Sequence, residues 1–195
     1  MTTFVGEFSF ERMEAAVEKV RSRLLRAAQS LEQSAIPYAV VGGNAVAAWV
    51  ATIDEAAVRN TRDVDILLRR QDLGIATSAL EAAGFIYRHV SNMDVFLDGD
   101  SASVRDAVHI VFAEERVRPE ELLPNPRVSE SVEADGYRVL SLHALVQIKL
   151  TAYRDKDRVH LRDLIDVGLV GPEWTSRFPA SLSERLQRII DTPDG

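Results

Sequence analysis

Two short segments, Val40-Val41-Gly42-Gly43-Asn44 and Thr61-Arg62-Asp63-Val64-Asp65-Ile66, constrain this chain more tightly than any other feature in it. The first reads as an apolar strand running into a glycine pair at the mouth of a helix. Such a turn leaves backbone N–H groups free to meet a phosphate. The second reads as another apolar strand with carboxylates at i and i+2. Side chains alternate along a strand, so Asp63 and Asp65 share a face with their Cα atoms ~7 Å apart. Oxygen ligands in that arrangement suit a divalent cation, and a cation beside a phosphate cradle is the equipment of metal-assisted phosphate chemistry. A glycine pair alone could be only a tight turn; the acidic strand after it gives it meaning.

The rest of the chain supplies a frame for these segments. Phe10, Met13, Val17, Val20, Leu24, Ala27 and Leu31 recur at three- and four-residue steps, predicting an amphipathic helix over roughly residues 9–34. Pro37 ends it, Tyr38 to Val41 form the first strand, Ala45 to Val50 a short helix, and Ala51 to Arg62 a loop. Strands are expected at Asp63–Leu68, Phe85–Val90, Met93–Leu97, Ala107–Ala113 and Tyr137–Leu140, with a helix from Asp72 to Ala83 closed by Gly84. Pro119, Pro124 and Pro126 mark a meandering connection. From Ser141 the pattern is helical to about Val170, with a last helix near Leu182–Ile190. The expected class is therefore α+β, a mixed β-sheet flanked by helices with a helical C-terminal part. The division falls at 1–140 for the α/β core with its N-terminal helix and 141–195 for the helical part packed on it.

At 46% apolar the 195 residues can bury a full core, and no run approaches the ~20 apolar residues of a membrane span. The start, Met1 to Glu7, lacks the basic and apolar regions of a signal peptide, and the chain has no cysteine, so neither disulfides nor thiolate metal sites enter. These features fit a cytoplasmic protein with no membrane partner. A net charge of −7 disfavours a general nucleic-acid coat. Local basic groups remain: Arg59, Arg62, Arg69 and Arg70 flank the acidic strand, and Arg154, Lys156, Arg158 and Arg162 cluster later.

The glycine pair and the T-R-D-V-D run together resemble the DNA polymerase β superfamily of nucleotidyltransferases, in the small prokaryotic form that includes AbiEii-like and MenT-like toxins. The resemblance covers roughly residues 35–170. It implies a nucleotidyltransferase-type sheet, an NTP substrate, Mg²⁺ or Mn²⁺, and transfer of a nucleoside monophosphate to an acceptor hydroxyl on an RNA end, a protein or a small molecule. It also implies a cognate toxin or antitoxin as a partner. Gly42, Gly43, Asn44 and Arg62 fall at the nucleotide-binding motif, with Asn44 where Ser or Thr is usual. Asn44 can offer its amide to a phosphate but has no hydroxyl.

The third carboxylate of that superfamily is missing. On the matching strand, Val108, Ile110 and Phe112 alternate as a core face, and His109 stands where an aspartate is expected. Histidine can act as a base near neutral pH or as a ligand favouring Mn²⁺ or Zn²⁺ over Mg²⁺, or its presence can mark weakened catalysis. The metal set is thus Asp63, Asp65 and His109. Lys149 lies at the centre of an apolar arc formed by Leu142, Leu145, Val146, Ile148, Leu150 and Ala152, with His143, Gln147 and Thr151 opposite on a wet face. A lysine there is costly unless paired or snorkelling outward, and the resemblance implies that it reaches the triphosphate. Asp157, within Arg154-Asp155-Lys156-Asp157, is either a nucleotide-site residue or a first-turn helix cap. Asp163 is its rival as the late acidic residue. The expected catalytic group is Asp63, Asp65, His109 and Lys149. The alternative is a catalytically weakened nucleotide- or partner-binding protein on the same fold.

Overall fold

The computed structural model describes residues 10–100 and 102–193; the Met1–Glu7 segment and the first residue expected in the N-terminal helix lie outside them. Helix α1 (Phe10–Gln33) leads to β1 (Tyr38–Val41), α2 (Gly42–Ala51), β2 (Val64–Leu68) and α3 (Leu73–Ala82). Then come β3 (Ile86–Val90), β4 (Met93–Leu97), β5 (Ala107–Phe112), β6 (Ser131–Ala134) and β7 (Tyr137–Leu140), followed by α4 (Leu142–Ala152), α5 (Asp155–Asp166) and α6 (Ala180–Asp191). The strands form one sheet in the order β3-β4-β5-β2-β1-β7-β6. It is mixed, because β1 and β2 are antiparallel while β2 pairs β5, and β1 pairs β7, in parallel. The α+β class expected from the sequence is the one observed.

Strand alternation divides the core in two. Val40, Ile66, Leu68, Val108 and Phe96 face one side, where Leu24, Ala27 and Leu31 of α1 and Leu80 of α3 cover them. Ala39, Val41, Leu67 and Val139 face the other side, under α2, α4, α5 and α6. Asp63 and Asp65 share the parity of Leu67, so the acidic face belongs to the layer covered by the C-terminal helices.

Several local features differ from the sequence pattern. The glycine pair lies inside α2, which begins at Gly42 rather than Ala45. Strand β6 is additional to the expected set; it is an edge strand whose half-exposed residues carry little apolar signal, and it pairs only with β7. Phe85 ends up buried ahead of β3 rather than within it. Thr151, expected on a wet face, is buried, because Arg185 of α6 packs there and donates to the carbonyl oxygens of Leu150 and Thr151 at 2.7 and 2.9 Å. Those bonds satisfy the last carbonyls of α4, and Tyr153, left-handed at φ 48°, turns the chain into α5.

Candidate metal and nucleotide site

The register of β2 against β5 places Asp65 directly beside His109. His109 Nδ1 lies 3.7 Å from Asp65 Oδ1 and 4.0 Å from Asp63 Oδ2. One potential ligand atom from each of the three residues falls within 4.8 Å of the other two. The other ring nitrogen, Nε2, is 2.7 Å from the carbonyl oxygen of Val104, in the short turn ahead of β5. A carbonyl only accepts, so Nε2 carries a proton and Nδ1 is the atom turned toward the carboxylates. Two carboxylates and one imidazole are donors of the kind a divalent cation takes.

The glycine pair makes room for this arrangement. A Cβ on Gly42 would sit 1.9 Å from Asp65 Oδ2, and the residue has φ +67°, where a side chain is strained. A Cβ on Gly43 would meet Thr61 at 3.0 Å. The Thr61 hydroxyl donates to Asp63 Oδ1 at 2.8 Å, and the Asn44 side-chain amide donates to the Asp63 carbonyl at 2.7 Å. The first turn of α2 and the start of β2 are therefore pressed together, and the amide of Asn44 holds the acidic segment.

Two further ties were not legible in the sequence. Arg23, buried on α1, donates to the Arg62 carbonyl at 3.0 Å and pairs with Asp98 at 3.2 Å. Arg59 pairs bidentately with Asp163 of α5, its Nε 3.0 Å from Oδ2 and its Nη2 2.9 Å from Oδ1. Asp163 therefore anchors the loop before the acidic strand. Arg62 itself is exposed.

Lys149 neither snorkels nor stands alone. It is 4% exposed, and its Nζ donates to Asp157 Oδ1 at 3.2 Å. Asp157 is 1% exposed, and its Oδ2 accepts from the Arg154 backbone N–H at 3.2 Å and from Arg154 Nε at 2.7 Å. Asp157 is thus both a first-turn cap and the centre of an ion triad, buried with Lys149 and capped toward solvent by the exposed Arg154, with both oxygens occupied by the chain itself. His160, a turn further along α5, has its Nδ1 buried without a hydrogen-bond partner, and burial pushes its pKa down to about 4. His89 instead pairs with Asp94, and His143 stacks on Phe178 and Trp174.

Charge couples the triad to the acidic face. Burial works to raise the Asp65 pKa, but contact with His109 and the nearby charges of Lys149 and Lys156 outweigh it and hold Asp65 below the ordinary carboxylate range. Asp65 is the main influence raising the pKa of His109, against the lowering effect of burial; the Val104 carbonyl and the charge of Asp63 add to it. Lys149 is shifted down by burial despite the nearby charges of Asp157 and Asp65. Asp63, Asp65 and His109 are therefore brought together, with Lys149, Arg154 and Lys156 as the cations that Asp65 or its neighbours feel. Lys156, exposed on the first turn of α5, is near enough for its charge to act on Asp65.

A sheet carrying paired aspartates beside a glycine turn defines the nucleotidyltransferase class of fold. A nucleotidyltransferase-like antigenic protein from Paracoccidioides brasiliensis superposes with TM-score 0.60 at 16% identity, over 91% of this chain and 89% of that one. A Helicobacter pylori protein described as a nucleotidyltransferase gives 0.52 at 16% identity, over 96% and 80%. No curated protein matches the sequence. Residues 9–187 match the family described as uncharacterised nucleotidyltransferases, and the chain belongs to that family. Among the described residues no helix is long and apolar enough to cross a membrane.

Proposed function

We propose that this protein is a metal-dependent nucleotidyltransferase that moves a nucleoside monophosphate from an NTP to an acceptor hydroxyl. The observation that carries this reading is the convergence of Asp63, Asp65 and His109 Nδ1 within 4.8 Å at the glycine turn of α2. A divalent cation, Mg²⁺ or Mn²⁺, would be held by these three residues and would neutralise phosphate charge and align the attack. In the transfer, the acceptor oxygen bonds to the α-phosphorus, the α–β phosphoanhydride bond breaks, pyrophosphate leaves, and the hydroxyl proton passes to water. In this reading the Gly42 and Gly43 turn would meet the triphosphate, with the exposed Arg62 and Lys156 as candidate cations for its charge. Lys149, whose charge is felt at Asp65, would add positive potential to the site. Asp157 is a positioning residue, since its oxygens hold Lys149 and Arg154. Asn44 likewise positions Asp63.

The carboxylates are partly open, with side chains 31% exposed at Asp63 and 19% at Asp65. An open rim favours an acceptor delivered on a larger molecule, an RNA end or a protein hydroxyl, over an enclosed small molecule. That acceptor class fits a cytoplasmic toxin of the AbiEii-like or MenT-like type acting with a cognate antitoxin. One observation favours the binding-protein alternative: Lys149 is already paired with Asp157 of its own chain. The deciding experiment incubates the protein with α-labelled NTPs, Mg²⁺ or Mn²⁺, and total RNA or cell protein. Label transfer that disappears in Asp63→Asn supports the enzyme. Nucleotide binding without transfer in any combination would leave only the binding protein.

A further inference from the structure

We infer that His109 makes this centre selective for a divalent transition-metal ion over Mg²⁺, an inference that rests on the metal-site reading proposed above. Three observations carry it. The register of β2 and β5 puts an imidazole in the same row as Asp65, directly beside the aspartates. The Val104 carbonyl accepts from Nε2–H at 2.7 Å, which leaves Nδ1 as the coordinating atom and fixes the ring plane. This is the outer-shell partner that metal-ligating histidines characteristically have. Finally, Nδ1 stands 3.7 and 4.0 Å from the nearest carboxylate oxygens. Metal–ligand bonds of roughly 2.0–2.2 Å place two ligands of one ion about 3–4 Å apart, so one ion can join Nδ1 to either carboxylate, and the three ligand atoms all lie within 4.8 Å of one another.

The donor set then decides the ion. Mg²⁺ is hard, demands near-ideal octahedral oxygen coordination and takes nitrogen poorly. First-row transition ions accept imidazole readily, and Mn²⁺ lies lowest among them in affinity. Mn²⁺ is consequently the most demanding probe, since a preference even for this ion over Mg²⁺ reports the nitrogen directly. A carboxylate in place of the imidazole would give an all-oxygen triad with one more negative charge, in which the two ions compete more evenly.

The test uses the full chain without nucleotide. Calorimetric titration with MnCl₂ and with MgCl₂ gives the affinity ratio, and pulsed electron paramagnetic resonance of bound Mn²⁺ reads nitrogen modulation from a coordinated imidazole. The expected result is Mn²⁺ tighter by about tenfold or more, with ¹⁴N modulation present. In His109→Asp the ratio falls toward one and the modulation vanishes; His109→Gln, closer to neutral in the fold, also loses the modulation. Equal affinities in the wild type would overturn the selectivity while leaving the metal site standing. Modulation that survives in both variants would assign the nitrogen to another residue and overturn the role of His109. Binding of neither ion by the folded protein would overturn both this inference and the metal-site reading. Mn²⁺ selectivity in a protein that transfers no label would support the inference and remove the enzymatic reading.

Discussion

At the scale of single residues, the site depends on atoms that are absent as much as on those present. Gly42 has no Cβ because the Asp65 carboxylate occupies that space, and its φ of +67° adds strain for any replacement. Gly42→Ala is expected to cost roughly 1–3 kcal/mol from the backbone conformation and to displace Asp65, so that metal affinity falls together with the melting temperature. Gly74 is the matched control, since it lies in α3 with nothing within 4 Å of where a methyl group would stand. Gly74→Ala should raise stability by about 0.4–1 kcal/mol with metal affinity unchanged. Thermal melts and metal titration on both variants check the pair; a Gly42→Ala protein with full stability and full affinity would contradict the close packing. The strand–glycine–helix pattern leads to the expectation that Gly42 meets a phosphate; the constraint seen in the structure is steric, since the Asp65 carboxylate fills the space of a side chain.

At the scale of elements, the turn between α4 and α5 carries the electrostatic design. Tyr153 reverses the chain so that Asp157 on the first turn of α5 reaches back to Lys149 on α4. Asp157→Leu leaves the buried Lys149 without its counter-charge and is expected to destabilise by roughly 3–5 kcal/mol. Lys149→Met should cost less, because Arg154 still holds Asp157. The Lys149→Met/Asp157→Leu double variant should recover most of the loss, since apolar side chains of similar volume can replace a buried pair. Denaturant unfolding measures the cycle; simple additivity would show that the two residues do not act together.

The pH dependence has a definite sign. Burial tends to raise the Asp157 pKa, but the hydrogen bond from Arg154 and the charges of Lys149 and Arg154 bring it below the ordinary value. A depressed carboxylate stabilises the folded state above its unfolded pKa, about 3.9, and that contribution is lost as pH falls through the lower folded value. The stability gap between wild type and Asp157→Asn should be flat from about pH 5 to 8 and narrow below about pH 4. A gap that widens on acidification would reverse the assignment.

At the scale of the molecule, the two faces of one sheet divide the labour. α1 and α3 support the strands from one side, and the C-terminal helices close the side that carries the aspartates. Ala39, Val41, Leu67, Val139 and Leu140 share a single apolar cluster with Leu145, Leu161, Leu164 and Leu186. A chain ending at residue 140 would expose that surface to water, at roughly 25 cal/mol per Å² of apolar area. It is expected to aggregate or lack a cooperative melt, and to regain both solubility and a melt when residues 141–195 are supplied in trans. A monomeric, cooperatively folding 1–140 fragment would instead support an independent N-terminal domain.

How much was legible depended on the range of the interaction. Strand parity is local, so the shared face of Asp63 and Asp65 followed from spacing alone, whereas the row shared with His109 was an expectation from the family resemblance that the pairing of β2 with β5 bears out. The amphipathic periods of α1 and the helical C-terminal part were local in the same sense. The Asp135-Gly136 turn also carries a hairpin signal for β6, which the weak apolar content of Ser131–Ala134 obscures. Partnerships across tens of residues left no such mark. Nothing in the sequence around Arg23 announces the Arg62 carbonyl, nor around Arg59 the carboxylate of Asp163, because a charged side chain looks alike whether solvated or paired. The residue types that can bind a metal were thus determined by the sequence. Tertiary structure alone decided that Nδ1 of His109 faces the carboxylates and that Lys149 meets Asp157, since both depend on the docking of one backbone against another.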